Sequence, residues 1–359
     1  MAPLRIALAL PHLGVYGGIR RFLELGEVWT RRGHEVAVLA PEGEGARPWV
    51  PFSGMILPLA ELPLGSWDAM ISPDPELFLR CRAPGALRVY YSVLEKAPGE
   101  DKAVRAADLV LANSAGMRRY LSRKGVEAEN AAGGVNVEWF RPPDPDPRAA
   151  RRSAGAPSAG AGGGPDDGPL KALVYGRLSR RRKGTWTAAR AIERAALTCG
   201  VPVRLTLFDA PPDGTAPSLP RMLRIPHRWV LNPTQRELAD LYGETDLFVS
   251  AERRAGWCNT AAEAMACGAA VACTRSGTED FAIDGVTAAV ARWGRWSWLL
   301  SRAIEPLLRD PERRRALAAR GTVKIQEFSW ERTAERIERA LEARMGGRTR
   351  GDRPAQAIR

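Results

Sequence analysis

Short continuous apolar runs alternate with longer stretches of helical periodicity along most of this chain. "LRIALAL", residues 4–10, is apolar except at Arg5. Such a run suits a strand buried on both faces, as in a parallel sheet covered by helices. The next stretch, "GVYGGIRRFLELGEVWTRRGHEVAVLAP", predicts a Gly-rich turn, an amphipathic helix from Ile19 to Arg32, a stop at Gly33 and a second strand at Val36–Ala40. Strand, helix and strand in that order imply a crossover unit with a parallel sheet behind it. "MAPLRIALALPHLGVYGG" has the outline of a secretory leader. Its apolar core is short, lacks a clean small-residue cleavage site and runs into the Gly turn, so it reads as the first strand. "DLVLANS" (108–114) repeats the buried-strand pattern and ends in polar residues. In open α/β sheets the carboxyl ends of strands face the ligand crevice.

Over residues 142–169 the periodicity stops. "PPDPDPRAARRSAGAPSAGAGGGPDDGP" mixes Pro, Gly, Ala and Ser and predicts a flexible linker. The α/β pattern then restarts. "LKALVYGRLS" is a strand with its exit loop, "TWTAARAIERAALTCG" a helix with a Gly stop, and "VPVRLTLFDA" a further strand. "TQRELADLYGETDLFVSAE" is a helix and a strand, with Thr234 as the cap and Glu237 three residues on. "AAVACT" is one more strand, and after Trp330 "ERTAERIERALEARM" is a charged amphipathic helix. The expected organisation is a Rossmann-like domain at 1–141, the linker at 142–169, a second Rossmann-like domain at 170–329, a helix at 330–345 and a mobile tail at 346–359. Two such domains place a cleft between them, where ligands usually bind.

Composition narrows the classes. The 359 residues are 45% apolar, enough for two cores. Cys81, Cys199, Cys258, Cys267 and Cys273 form no CxxC pair and are odd in number. That favours free thiols in a reducing, cytoplasmic setting over a disulfide framework or a zinc site. No run reaches the ~18 apolar residues of a membrane span. The net charge of +12 attracts nucleic acid, anionic headgroups or phosphorylated ligands, or marks a soluble Arg-rich surface. Interleaved aromatic and basic positions are missing, which speaks against a specific nucleic-acid module.

Three stretches carry candidate chemistry. "YGGIRR" puts Gly17 and Gly18 between strand and helix, where bare backbone N–H groups can meet an anion or merely make a tight turn. In "VYGRLSRRRKG", Arg177 leaves a strand end after Gly176, and Lys183 stands before Gly184 and a helix. A guanidinium fork and an ammonium at one loop suit a diphosphate, whereas Arg180, Arg181 and Arg182 read as a solvated basic loop. In "AGWCNTAAEAMACG", Thr260 and Glu263 have capping-box spacing. Glu263 is either that capping acid or an acceptor for ligand hydroxyls at a strand-to-helix crevice. No cluster has metal-ligand spacing.

In their order and spacing these pieces, together with "ADLVLANSAGMRRYL", "GGVNVEWFRP", "LADLYGETDLFVS" and "SGTEDFAIDGVTA", resemble the retaining glycosyltransferases of family 4. The resemblance covers most of the chain outside linker and tail. It implies the GT-B fold, two Rossmann-like domains facing across a cleft with a C-terminal helix crossing back to the first. It further implies transfer of a sugar from a nucleotide-sugar donor with retained configuration, and no metal or other cofactor. Carried onto this chain, Arg177 and Lys183 hold the donor diphosphate and act catalytically. Glu263 takes the ribose hydroxyls, and Gly17, Gly18, Gly176, Thr260, Ser276 and Gly277 contact the donor. The expected acceptor is a glycan, a lipid-linked sugar or a small molecule. "MRRYLSRKG" would present Arg118, Arg119, Arg123 and Lys124 to anionic lipid at the inner face of the plasma membrane, or form a solvated helix face.

The chain departs from the family at two places. The family carries two glutamates eight positions apart, and the first falls on Ala255. Glu252, three residues upstream, would need a loop shift to stand in, and Glu279 is a further acid nearby. The usual N-terminal-domain histidine is missing from "RVYYSVLEK", which leaves His12 after the first strand as the candidate. The alternative implied is a weakened or inactive relative that binds nucleotide-sugar or glycan.

Overall fold

The structure is a computed structural model that describes residues 2–14, 17–41, 49–143, 168–211, 213–291 and 296–346. Most of the linker predicted at 142–169, and all but the first residue of the tail predicted at 346–359, lie outside them. The chain divides into two compact units. One comprises Met1–Asn136, Arg254–Asn259 and Glu327–Arg359, the other Val137–Arg253 and Thr260–Gln326.

The first unit contains a parallel sheet of β1 (Arg5–Ala9), β2 (Glu35–Ala40), β3 (Met55–Pro58), β4 (Ala69–Ser72), β5 (Leu87–Ser92), β6 (Leu109–Ala112) and β7 (Glu129–Asn130), in the order β3-β2-β1-β4-β5-β6-β7. Helices α1 (Gly17–Arg31), α2 (Pro75–Arg80), α3 (Glu100–Ala106) and α4 (Ala115–Ser122) lie between them in sequence. The apolar run of β1 divides by alternation. Ile6 and Leu8 join one core with Phe22, Leu23 and Trp29 of α1, whereas Ala7 and Ala9 join another with Met70, Phe78 and Tyr90. Both faces of the strand are covered, which is why no polar position interrupts the pattern.

Two boundaries differ from the sequence reading. Helix α1 begins at Gly17, so both glycines sit in its first turn rather than in the preceding loop. The elements β3, β4, α2 and α3 occupy a stretch whose short runs have no clear period. Helix α4 is capped by Ser114, which is fully buried and accepts a hydrogen bond from the Met117 N–H at 3.0 Å. Ser114→Ala should therefore lower unfolding stability by about 1 kcal/mol, read as a shift in urea midpoint without a change in slope.

The second unit contains β8 (Leu170–Tyr175), β9 (Val203–Asp209), β10 (His227–Leu231), β11 (Leu247–Ser250), β12 (Ala270–Thr274) and β13 (Ala289–Ala291), all parallel, in the order β10-β9-β8-β11-β12-β13. With them run α5 (Thr185–Cys199), α6 (Gln235–Gly243), α7 (Asn259–Ala266), α8 (Ser297–Arg309) and α9 (Pro311–Ile325). The capping box predicted at Thr234 and Glu237 forms in both directions. Helix α5 ends on Gly200 in the left-handed region, as its Gly stop requires.

The chain then returns to the first unit with α10 (Trp330–Gly346). Gly134 makes room for it, since a Cβ there would lie 1.9 Å from the Trp330 ring. Arg21, buried beneath, stacks on Tyr91 and Trp330 and donates to the Tyr91 hydroxyl at 2.8 Å. Glu338 of α10 accepts from Arg32 at 2.8 Å and faces His34 Nε2 at 3.3 Å. His34 Nδ1 accepts from the Leu4 N–H, so this histidine ties strand, helix and α10 together, a scaffold role.

Candidate functional site

In the second sheet the chain starts at β8, adds β9 and β10 on one side, then crosses to add β11, β12 and β13 on the other. The strand order reverses between β8 and β11. A crevice opens at the carboxyl ends of strands at such a switch point, because successive crossovers diverge there. Tyr175, Gly176 and Arg177 leave β8 at that end, Asp209 ends β9, Glu252 follows β11 and Thr274 ends β12.

Arg177 is held by β9. Its guanidinium donates to Ala210 O at 3.1 Å and to Asp209 Oδ1 at 3.5 Å. Lys183 closes a 3-10 turn, Arg181–Lys183, and its Nζ donates to Glu252 Oε1 at 2.5 Å. Arg182 donates to the same oxygen at 3.4 Å. Tyr175 links the two cations. Lys183 Nζ stands 5.6 Å from its ring centroid, and its hydroxyl feels Asp209, Arg177 and Glu252. Burial first, then Asp209, push that hydroxyl up to about 12, while Arg177 opposes the shift. Arg177 and Lys183 thus belong to one cluster, as the sequence suggested.

The glycines here serve packing. A Cβ on Gly176 would lie 2.3 Å from the Trp229 ring and 3.0 Å from Phe208 O. Gly184 has φ +67°, and its Cβ would lie 2.0 Å from Ala251 O. The loop after β12 is closed on itself. Ser276 N–H and Thr278 Oγ1 both donate to Thr274 O, Gly277 takes φ +69°, and Glu279 accepts from the Thr278 N–H at 3.0 Å. Thr274 Oγ1 in turn donates to Glu252 O at 2.6 Å, which ties this loop to the Glu252 loop.

Glu263 stands differently. Helix α7 begins at Asn259, which makes Thr260 its second residue and Glu263 its fifth. The spacing therefore does not produce a capping box, because the helix starts one residue before Thr260. The Glu263 carboxylate is 5% exposed and accepts from the Tyr242 hydroxyl at 3.2 Å. Tyr242 is fully buried and packs edge-on against Phe208 and Phe248, each at 5.8 Å. Phe208 also packs on Tyr175, at 5.2 Å, so aromatic contacts join the Glu263 group to the cation cluster. Just past the end of α7, burial and then the charge of Glu263 push the Cys267 thiol up to about 12.

The remaining candidates belong to the first unit. Asn259 Nδ2 donates to Gly17 O at 3.4 Å and would lie 2.8 Å from a Gly17 Cβ, so Asn259 fills that space. Gly18 has open space beside it. His12 is half-buried, and its Nδ1 accepts from the Gly14 N–H at 3.1 Å. Ala255 is buried, and its neighbour Gly256 packs where a Cβ would meet Val93 O at 2.1 Å. Glu252, the acid nearest Ala255 in sequence, is engaged by Lys183 and Arg182 instead.

The sequence reading missed Asp209, Tyr175 and Tyr242. Asp209 had a signal, a polar residue closing an apolar run. Tyr242 had none, because an aromatic on a helix reads as ordinary core. The lipid-facing reading of residues 117–125 changes in one respect: Lys124 is bound by Glu100 at 3.3 Å and by Asp101. Among the described residues no helix is long and apolar enough to cross a membrane, and no group of three or more His, Cys, Asp or Glu is placed to hold a metal ion.

Residues 169–310 match the family described as Glycosyl transferases group 1. The D-inositol 3-phosphate glycosyltransferase of Rhodococcus erythropolis (strain PR4 / NBRC 100887) is 27% identical over 252 residues, covering 66% of this chain and 54% of that protein. The chain thus matches about half the length of this curated relative. Among solved structures, a glycosyltransferase from Rickettsia africae ESF-5 aligns with a TM-score of 0.73 at 14% identity, over 96% of this chain and 99% of the other. Sucrose-phosphate synthase from Thermosynechococcus elongatus aligns with a TM-score of 0.71 at 17% identity, over 95% and 99%. HepE of Anabaena in complex with UDP-glucose aligns with a TM-score of 0.68 at 15% identity, over 95% and 100%. At these identities the structural likeness is one of fold. Two parallel-sheet α/β units with a C-terminal helix returning to the first are the GT-B architecture, and the sequence matches support kinship with the group 1 glycosyltransferases.

Proposed function

We propose that the protein transfers a glycosyl group from a nucleoside-diphosphate sugar to a hydroxyl acceptor, with retention of configuration and without a metal or other cofactor. The observation that carries this reading is the cluster at the β8/β11 switch point, where Arg177 and Lys183 flank Tyr175, each aligned by its own carboxylate. Breaking the glycosyl–phosphate bond leaves negative charge on the departing diphosphate and positive charge on the sugar. Cations already oriented stabilise that developing charge without reorganising during the reaction. Glu252 fixes the Lys183 ammonium, and Ala210 O fixes the Arg177 fork.

In this reading Glu263 receives the ribose hydroxyls, its carboxylate oriented by Tyr242. Thr260, Ser276 and Gly277 contact the donor. Glu279 and Gly176 shape the loops rather than touch ligand. Retention follows if the leaving phosphate oxygen takes the acceptor proton on the face the diphosphate vacates. The titles of related structures support a nucleotide donor: HepE is named with UDP-glucose, and a starch synthase IV of Arabidopsis thaliana with ADP and acarbose. The Rhodococcus relative, by its name, uses D-inositol 3-phosphate, which supports a polyhydroxylated acceptor.

Thermal shift with UDP, ADP, GDP and pyrophosphate tests the reading. A ligand that binds only the folded protein adds about 2.7 kcal/mol at a hundred times its Kd. At least one nucleoside diphosphate should raise Tm. Glu263→Ala, with Glu263→Gln as the milder change, should shrink the nucleotide-induced shift and leave that of pyrophosphate unchanged. No stabilisation by any nucleoside diphosphate would remove the proposal.

A further inference from the structure

The first unit holds an open cavity of about 780 Å³ that the glycosyl-transfer reading does not use. It lies at the amino ends of three neighbouring strands. Leu87 opens β5, Asp108 and Leu109 lead into β6, and Glu129 and Asn130 form β7. Ligand crevices of open α/β sheets form at the carboxyl ends, so this is the opposite end of the sheet. Its volume falls in the range of about 300–1,000 Å³ in which small-molecule sites occur. The facing wall is the second half of α10. Arg336, Ala340 and Ala343 recur there at the spacing of one helix face. At about 3.6 residues per turn, Arg339 and Arg344 fall on opposite flanks of that stripe. The two alanines leave room where longer side chains would close the gap between helix and strand ends.

The lining sorts by chemistry. Leu87, Leu109 and the two alanines supply its apolar part. Arg336 is half-buried and donates to Ala132 O and, at 3.0 Å, to Thr333 Oγ1. Arg339 is steadied through its Nε, which donates to Glu335 O at 3.3 Å, and Arg344 is exposed. Cations held in advance lose little freedom when an anion arrives, and a planar guanidinium fork matches the paired oxygens of a phosphate or carboxylate. On the sheet side Asp108 accepts from the Arg88 N–H at 2.7 Å, Glu129 is exposed, and Asn130 Oδ1 accepts from the Ala132 N–H at 2.9 Å. Carboxylates in such a wall accept from hydroxyl or ammonium groups. Three guanidinium groups against two carboxylates leave the cavity with an excess of positive charge.

We propose that this cavity is a second ligand site, separate from the donor crevice, for a small organic anion that also carries hydroxyl or amino groups. Its phosphate or carboxylate lies on Arg339 and Arg344, its compact body over Ala340 and Ala343, and its hydroxyl or amino groups toward Glu129. A ligand so placed bridges α10 and the strand ends and slows backbone exchange on both sides of the cavity. The test uses the full chain and two probes, ribose 5-phosphate against ribose, and citrate against sodium chloride of equal ionic strength. Affinity is read by calorimetry, and the place of binding by amide hydrogen exchange. At least one probe should bind over its control and slow exchange at residues 336–344 and 108–109. Binding in the ribose 5-phosphate arm marks a phosphate ligand, and binding in the citrate arm a carboxylate. Arg339→Gln with Arg344→Gln should weaken that binding about tenfold or more. Ala343→Leu, which keeps every charge and fills the space, should weaken it in the same direction. Glutamine and leucine are good helix formers, so α10 persists in both variants.

A wild type that binds neither probe over its control overturns the proposal. Slowed exchange confined to residues 177–183 does so as well, because the anion then sits in the donor crevice. Wild-type affinity in the arginine double variant, or in Ala343→Leu, removes the cavity as the place of binding.

Discussion

Lys183→Ala is expected to lower kcat/KM for glycosyl transfer by about a hundred- to a thousandfold, the usual loss when one preorganised group facing the developing charge is removed. The size follows from the position of the ammonium. Lys183 reaches the crevice from a 3-10 turn, over the Tyr175 ring, and Glu252 fixes it at 2.5 Å. The substitution also leaves the buried Glu252 carboxylate with Arg182 as its remaining named cation, which destabilises the fold independently of catalysis. Glu252→Gln added to Lys183→Ala should recover part of that stability and none of the activity. Nucleoside-diphosphate affinity, donor turnover and urea midpoints, measured on the single and double variants, separate the two effects. Unchanged turnover in Lys183→Ala would remove Lys183 from the chemistry.

The second large effect is structural. Gly184→Ala should destabilise the protein by about 3 kcal/mol, and Gly200→Ala by only about 1 kcal/mol. The two glycines flank the same helix, α5, and share φ +67°. A non-glycine residue in the left-handed region costs about 1–2 kcal/mol, and both variants incur that. They differ in their surroundings. A Cβ at Gly200 meets nothing within 4 Å, whereas one at Gly184 would lie 2.0 Å from Ala251 O. That atom is backbone, so relief requires the β11 exit or the start of α5 to move. Glu252 is the next residue after Ala251, and Lys183 precedes Gly184. The same shift should therefore weaken nucleotide binding in Gly184→Ala and leave it unchanged in Gly200→Ala. Equal losses of stability in the two variants would show that the contact with Ala251 can relax.

The long periodic segments were legible before any coordinates. Helix α5, the Thr234 capping box, the strand at Ala270–Thr274 and the return helix at Trp330 each have a strong local pattern or a cap, and each formed close to its expected limits. The weaker readings came from features that one residue can change. Thr260 and Glu263 had the spacing of a capping box, but α7 starts at Asn259 and moves Glu263 to its fifth position. Gly17 and Gly18 read as a loop yet begin α1, because a glycine pair is compatible with either conformation.

Candidate donor residues were readable from charge type and strand ends: Arg177 after an apolar run, and Lys183 before a glycine and a helix. Their partners were not. Asp209 lies 32 positions from Arg177, and Glu252 lies 69 from Lys183. Nothing in the spacing of a single chain assigns one acid to one cation at that distance.

Element types, the doubling of the α/β pattern and the stock of cations at strand ends follow from local periodicity and side-chain chemistry, which act over a few residues and leave a trace in order alone. Which acid aligns which cation, which glycine is needed for clearance, and the joining of Arg253 to the Arg181–Lys183 turn all arise from strand order and packing. Those contacts exist only once β8, third from one edge of its sheet, is set between β9 and β11 and brings distant loops to one rim.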